Sequence, residues 1–533
     1  MMDRKHPLGL LVVVLFSIVF RFYSLDTTPP WDFDEGYNMR YSFDLINGEI
    51  LWFSIKYTFM PHPPLFMLAY ALVIKYLGVS VYTIRLLTAF YGVLTTIAIY
   101  FVGKEMFNRK VGFLASAVYA FMPEIIFWNR LGYANNQLIL LSVLTMYFIY
   151  KYSKTLQEKH LYAGCLFAGL SVITEYTALL NVFAITVFML FYHREKALKF
   201  FTLSLILMFL VFIFMLYYSP EFFIFDVKYQ FNRFFSPIKI VVGLISITVL
   251  FLLRKRISNF YRPIARSLSQ DTLVYVFLAS LTVFRVSEYD FWHATSFLLG
   301  MCLFGMCLIP SFLIEQKKER RFLVFLLLIN LFYLLVLDRA DHMTMVIYPF
   351  ISLLLAAMLY NIYDKSIREL PWIFNRFKIR PSKKALLTAC FYPIAVSLLL
   401  STYIFLLGNV STQDIGEVVS VADYINEHTT EDDLVLTYSW MFPLIDDAKV
   451  SLLTHSLAYE GIGVVYYSSD FPKHRFAFNT SYKRAKYLVL TNGTLEWFMN
   501  LTENDVPLER MQTWNKTEVG SFLIYANPEY SGN

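Results

Sequence analysis

Residues 81–110 read VYTIRLLTAFYGVLTTIAIYFVGKEMFNRK. From Val81 to Gly103 a single charged residue, Arg85, interrupts the apolar run. A helix rising about 1.5 Å per residue over that length crosses a hydrocarbon core of roughly 30 Å. The run closes on Lys104, Arg109 and Lys110, a short basic segment. Working outward in both directions, the same unit of apolar run and charged connector recurs from Pro7 to Leu407 and then stops. The chain has 533 residues, 57% hydrophobic and 16% charged, against roughly 25% charged in a soluble domain. That balance is expected of a polytopic membrane protein.

The connectors alternate in charge. Basic segments fall at 104–110, 151–160, 193–199, 254–266, 315–321 and 364–384, and the positive-inside rule places them in the cytoplasm. Between them, 128–136, 174–176, 220–236, 286–293 and 338–342 carry carboxylates, aromatics and amides and are read as external. With the N-terminus inside, spans are expected near 7–25, 81–103, 111–128, 137–152, 161–173, 176–192, 200–218, 238–253, 272–285, 292–313, 322–337, 343–362 and 385–407. About thirteen crossings leave the C-terminus outside. The apolar segment 64–78 would invert every later loop if it crossed, so it is read as a helix lying along the outer surface. The first run, 8–20 behind Arg4 and Lys5, has the layout of a secretory signal, but no small-x-small cleavage site follows it.

The net charge of +6 sits in short inter-span loops rather than on one soluble face, so no nucleic-acid partner is expected. Cys165, Cys302, Cys307 and Cys390 lie in apolar stretches without metal-ligand spacing, which implies neither a disulfide framework nor a zinc site. After the last span, five N-x-S/T sequons occur at Asn409, Asn479, Asn492, Asn500 and Asn515, and their clustering agrees with an external C-terminus. Ile415, Val418, Val419, Ala422 and Ile425 recur at helical spacing, and 433–438, 486–491 and 521–526 read as buried strands. The expected architecture is an all-α polytopic membrane domain over 1–408, with a first external loop at 26–80, followed by a small extracytoplasmic α/β domain over 409–533. That second domain carries no Gly-rich phosphate loop or nucleophile elbow and is read as a lid or acceptor platform.

The chemistry is expected in the first external loop, where Asp32, Asp34 and Glu35 lie against the membrane surface. One carboxylate can serve as a general base toward an acceptor hydroxyl. Equally, Asp34 can be the N-cap of a helix running from near Gly36 to near Gly48. Further on, Met60-Pro61-His62-Pro63-Pro64-Leu65 presets a helix start with a protonatable side chain beside its free N–H groups, an anion site. Lys56 can add charge there or snorkel to lipid head groups.

These residues resemble a known family. Asp34-Glu35 after the first span, His62-Pro63-Pro64-Leu65, Arg85-Leu86 entering the next span, and Gly103 with Phe107 at its cytoplasmic end are similar to the dolichyl-phosphate-mannose protein mannosyltransferase and aminoarabinose transferase group of the GT-C superfamily. The resemblance is clearest over residues 1–180 and fades toward 362. It implies a GT-C-type membrane domain and an inverting hexosyltransferase working at the external face. The donor would be a polyprenyl- or dolichyl-phosphate sugar, with mannose as the default, and the acceptor a glycan, protein or lipid. Glu288, Asp290 and His293 could suggest a divalent metal and are as readily a solvated loop; the resemblance implies no cofactor or metal. Asp34 would correspond to the catalytic aspartate, Glu35 to its supporting neighbour, and His62 would lie near the donor phosphate; Arg85 would be structural.

Two departures stand out. Many relatives carry Lys in the turn where this chain has Thr174-Glu175-Tyr176-Thr177, and Glu175 would repel the donor phosphate. Arg130 and Arg339, both at external span ends, are candidate replacements. His342 joins Arg339 on one helix face, flanked by Asp338 and Asp341. Relatives also carry an acidic residue where this chain has Asn135-Asn136. Three alternatives stand beside this reading: an oligosaccharyltransferase, for which Tyr438-Ser439-Trp440-Met441 is a poor match to the expected Trp-Trp-Asp; a transporter or flippase, which would place ionisable residues at mid-membrane; and a non-catalytic scaffold.

Overall fold

The computed structural model describes residues 5–48, 63–218 and, with a few interruptions, 415–530, together with short pieces at 220–228, 322–330 and 345–360. The N-terminal part is helical: α1 (Lys5–Phe22), α2 (Phe33–Ile46), α3 (Pro64–Leu77), α4 (Val81–Met106), α5 (Arg109–Phe121), α6 (Pro123–Asn129), α7 (Asn135–Thr155), α8 (Glu158–Val172), α9 (Ala178–Tyr192) and α10 (Arg194–Tyr218). The expected spans from 7–25 to 200–218 coincide with these helices, and 64–78 coincides with α3. Among the described residues, α4 and α10 are long and apolar enough to cross a membrane. Most of the expected spans beyond 218 lie outside the described residues.

α4 and α5 start where the sequence offers a side-chain cap. Ser80 and Thr83 form a reciprocal capping box at the head of α4, and the Asn108 side chain accepts from two N–H groups opening α5. Both arrangements satisfy orphan backbone donors of a first turn. The helices pack around a core that includes Ile99, Val102, Leu138, Ile149, Leu161 and Ile185, all buried. Gly103 and Gly112 bring α4 and α5 close together, since a Cβ on Gly103 would lie 2.7 Å from the Gly112 Cα. Polar links cross the same core: Asn330 Nδ2 donates to Asn181 Oδ1 at 2.9 Å, and Asn181 Nδ2 donates to Ser142 Oγ at 3.3 Å. Left unpaired in an apolar bundle, such amides would cost several kcal/mol each.

The C-terminal part opens with α11 (Ile415–His428) and contains a five-stranded sheet. Its strands are β1 (Leu434–Leu436), β2 (Lys449–Ser451), β3 (Ala485–Thr491), β4 (Asn515–Val519) and β5 (Phe522–Ala526), in the order β2-β1-β3-β5-β4. β1 pairs in parallel with β2 and β3, whereas β5 is antiparallel to β3 and β4. The three expected strands and the helix are present. β2 and β4 were not expected: β2 is three residues long, and β4 is polar and exposed along most of its length.

α2 meets the C-terminal part, and α3 packs beside α2 in the cluster that joins them. Phe66, Met67, Tyr70 and Ile74, at helical spacing, are buried in one cluster with Val418, Val421, Ile425, Met441 and Ile524 of the C-terminal part. Full burial of each such side chain contributes about 1.5–3 kcal/mol. Leu72, Tyr76 and Leu77 on its other side are exposed. The surface helix expected at 64–78 therefore has its apolar stripe covered by protein, with the opposite stripe left to the surroundings.

Candidate active site

α2 begins three residues earlier than the sequence suggested, because Asp32 and not Asp34 is its N-cap. The Asp32 carboxylate accepts from the Asp34 backbone N–H at 2.9 Å, and Glu35 Oε2 accepts from the Asp32 N–H at 3.1 Å, completing a capping box. Asp32 Oδ1 also accepts from the Tyr133 hydroxyl at 2.7 Å. Asp32 is thus engaged by both its own helix and the turn ahead of α7.

Glu35 is engaged still more deeply. Its side chain is fully buried and paired with Arg85, which donates from Nη2 at 2.6 Å and from Nε at 2.8 Å. The Gly132 N–H donates to Glu35 Oε1 at 2.7 Å, and Asn38 Nδ2 returns a bond to the Gly132 carbonyl at 2.9 Å. Arg85 also donates to the carbonyls of Leu25, Pro29 and Pro30. A loop without sheet partners needs such donors for its carbonyls.

Arg130 does the same for the earlier half of that loop. Buried, it donates to the carbonyls of Phe20, Ser24 and Thr28. Its guanidinium, expected beside the donor phosphate, holds the turn that leads to α2. Asn136 is likewise structural: its Nδ2 donates to the carbonyls of Trp128, Leu131 and Tyr133, while its Oδ1 accepts from Asn129, which in turn accepts from Arg21. Glu175 sits partly buried in the turn between α8 and α9. The Leu65 N–H donates to the Ile173 carbonyl at 3.0 Å, so the head of α3 rests on that turn. His62, Lys56, Arg339 and His342 lie outside the described residues, as do Glu288, Asp290 and His293.

What remains is Asp34. It occupies the second position of α2, only partly exposed, and among the described residues its carboxylate has no hydrogen-bond partner. Burial, then the neighbouring charges of Asp32 and Glu35, push its pKa up to about 7. A carboxylate poised there ionises near neutral pH and takes up a proton readily, as a general base requires. The Tyr133 phenol, raised first by burial and then by Asp34 and Asp32, stays protonated and serves as a donor.

Asp34, Tyr37 and Tyr41 follow one stripe of α2, being three and four residues apart. Beside that stripe an open cleft runs between α2 and the C-terminal part, lined by Tyr37, Arg40, Tyr41, Phe442, Ser451 and His455. Gly36 makes the approach possible: a Cβ there would lie 2.2 Å from the Ser439 carbonyl carbon and the Trp440 nitrogen. Trp31 packs edge-on against Trp440, and Arg40 lies over the Phe442 ring. The Ser451 hydroxyl is buried without a partner among the described residues. His455 is held neutral, its pKa lowered to about 3 by burial and then by Arg40. The sequence singled out no residue of this cleft, since its walls come from segments some 400 positions apart (for example Tyr41 and Ser451).

Residues 61–218 match the protein family described as dolichyl-phosphate-mannose-protein mannosyltransferase. Comparison with curated protein sequences gives no match. Among solved structures, the chain is similar to the Archaeoglobus fulgidus oligosaccharyltransferase tethered with an acceptor peptide containing the NVT sequon, with TM-score 0.59 and 14% identity over 99% of this chain and 74% of that one. It is also similar to ArnT from Cupriavidus metallidurans bound to undecaprenyl phosphate, with TM-score 0.57 and 12% identity over 98% of this chain and 99% of that one. The chain therefore resembles the GT-C superfamily of membrane glycosyltransferases, and the resemblance read from its motifs is matched by its fold.

Proposed function

We propose that this chain is a membrane glycosyltransferase that moves a sugar from a polyprenyl-phosphate donor to an acceptor hydroxyl, with Asp34 as the base. The observation that carries the reading is the contrast among three adjacent carboxylates. Asp32 and Glu35 are engaged in the cap and in the Arg85 ion pair, while Asp34 sits on a capped helix with its oxygens uncommitted among the described residues and its pKa pushed up to about 7. In the step itself the acceptor oxygen bonds to the anomeric carbon as the carbon–oxygen bond to phosphate breaks. The polyprenyl phosphate leaves with the electron pair, and the acceptor's proton passes to Asp34. Attack opposite the leaving group inverts the anomeric centre.

The acceptor is placed in the cleft along Tyr37 and Tyr41, whose aromatic faces and polar edge suit a sugar ring or a hydroxylated peptide. His62 and Arg339, with Lys56 and His342, remain the sequence-based candidates for the donor phosphate, Arg for its bidentate fork. Mannose is the default sugar by family resemblance. The membrane domain is placed at 1–408 in about thirteen crossings, with the N-terminus in the cytoplasm and residues 409–533 outside.

A second reading is transfer of a whole oligosaccharide, favoured by the fold likeness to the archaeal oligosaccharyltransferase. One experiment separates the two. Purified chain is given either dolichyl-phosphate mannose or a lipid-pyrophosphate oligosaccharide, each carrying a radiolabelled sugar, together with membranes lacking the chain as the acceptor source. A product gaining one hexose supports the first reading; a product gaining a glycan only from a lipid pyrophosphate supports the second. No transfer from either donor overturns both.

A further inference from the structure

We propose that Asn515 is an N-glycosylation site, and that of the three sequons in the described residues it is the one the folded C-terminal part presents. Recognition of N-x-S/T requires the asparagine amide and the hydroxyl two residues on to be reached together. Asn515, Lys516 and Thr517 are all exposed, on β4 at the edge of the sheet. Alternation along a strand puts Asn515 and Thr517 on one side, and among the described residues neither side chain has a hydrogen-bond partner. The outer edge of β4 is unpaired among the described strands, so a second chain can approach the extended backbone from that side.

The other two sequons expose the amide and withhold the hydroxyl. Asn492 is exposed, but Thr494 Oγ1 lies 2.9 Å from the Tyr438 hydroxyl and 2.7 Å from Thr491 Oγ1. Asn479 is exposed too, yet its Oδ1 accepts from the Ser481 N–H at 3.0 Å, and Ser481 is buried with its hydroxyl accepting from the Lys483 N–H. Both segments would have to open locally before they could be read, and opening lowers the reactive population. Asn409 and Asn500 lie outside the described residues.

The modification joins the Asn515 amide nitrogen to the anomeric carbon of a lipid-pyrophosphate-linked oligosaccharide. The bond from that carbon to the pyrophosphate oxygen breaks, the lipid pyrophosphate leaves with the electron pair, and the amide gives up one proton. A separate oligosaccharyltransferase supplies the catalysis. In the cell the modification also rests on the external placement of residues 409–533 proposed above. The test does not.

The full chain, purified from a host without N-glycosylation and kept folded in detergent, is incubated with the lipid-linked oligosaccharide and an oligosaccharyltransferase that accepts all three sequons as free peptides. Glycopeptide mass spectrometry is expected to find Asn515 modified about tenfold or more faster than Asn479 and Asn492, a preference lost in the digested chain. Thr517→Ala, an exposed change, should abolish modification at Asn515. An unmodified Asn515 in the folded chain, or equal rates at the three asparagines, overturns the proposal. Protease protection of sealed vesicles tests the external placement separately, so the two ideas fail independently.

Discussion

Glu35 and Arg85 form a fully buried ion pair across fifty residues of sequence, with Nη2 to Oε2 at 2.6 Å and Nε to Oε1 at 2.8 Å. The pair fixes the first turn of α2 to the head of α4, and Arg85 carries the loop carbonyls of Leu25, Pro29 and Pro30 with it. Removing one partner leaves the other charge buried and uncompensated. Glu35→Gln is therefore expected to cost about 3–5 kcal/mol, read as a lowered melting temperature of the solubilised protein. An unchanged melting curve would contradict the structural role given to the pair.

Gly36→Ala tests the junction between α2 and the C-terminal part. The added methyl would meet backbone, not a flexible side chain, at 2.2 Å, so one segment has to move. Overpacking of this kind costs about 1–3 kcal/mol. Parting of Trp31 from Trp440, now 5.7 Å between ring centroids, should show as altered tryptophan fluorescence and faster proteolysis after residue 408. Wild-type fluorescence and proteolysis would show that the contact is dispensable.

The raised pKa of Asp34 fixes two signs. As a base it must be ionised, so turnover should rise with pH through about 7 and then level. For stability, the folded pKa lies above the unfolded value of about 3.9, so the folded state binds more protons between the two. Its contribution is fully present below pH ~4 and is lost as pH rises toward 7. Asp34→Asn removes that loss, and its melting temperature is expected to exceed wild type more at pH 8 than at pH 5. Identical pH slopes for the two proteins would contradict the assignment.

Arg130→Ala separates holding the loop from holding the donor. With its donors on Phe20, Ser24 and Thr28, the change should lower stability by at least about 1–3 kcal/mol for the buried acceptors left behind. Donor affinity per folded molecule should stay at the wild-type value. A loss of affinity without loss of stability would return Arg130 to the phosphate.

Much of the helical part was legible because apolar runs and basic loops are long, repeated signals. The C-terminal helix and three of its strands were legible from their apolar spacing. β4 was not, since an exposed edge strand of Asn, Lys, Thr and Glu carries no apolar pattern, although Gly520-Ser521 before Phe522 is a hairpin turn signal. At the site, the sequence located the loop and assigned its residues only in part. Asp32 and Glu35 stand at capping-box spacing, which identifies the cap, although Asp34 is an equally common capping residue type. Arg85 near a span end calls for a buried partner, but nothing local says that the partner is fifty residues back. Glu35, expected as a supporting neighbour of the base, anchors the loop through Arg85 and Gly132. The cleft along Tyr37 and Tyr41 depends on a long-range contact through Gly36, beyond the reach of any window.

The central claim is that the Asp34 carboxylate does chemistry, and Asp34→Asn tests it most directly because Asp32, not Asp34, caps α2. The variant keeps the size of the side chain and the cap. Its initial rate of sugar transfer from radiolabelled dolichyl-phosphate mannose is measured beside wild type at pH 8, with donor binding measured in parallel. The expected result is unchanged donor binding with turnover lower by roughly 10²–10⁴-fold; transfer at the wild-type rate would contradict the account.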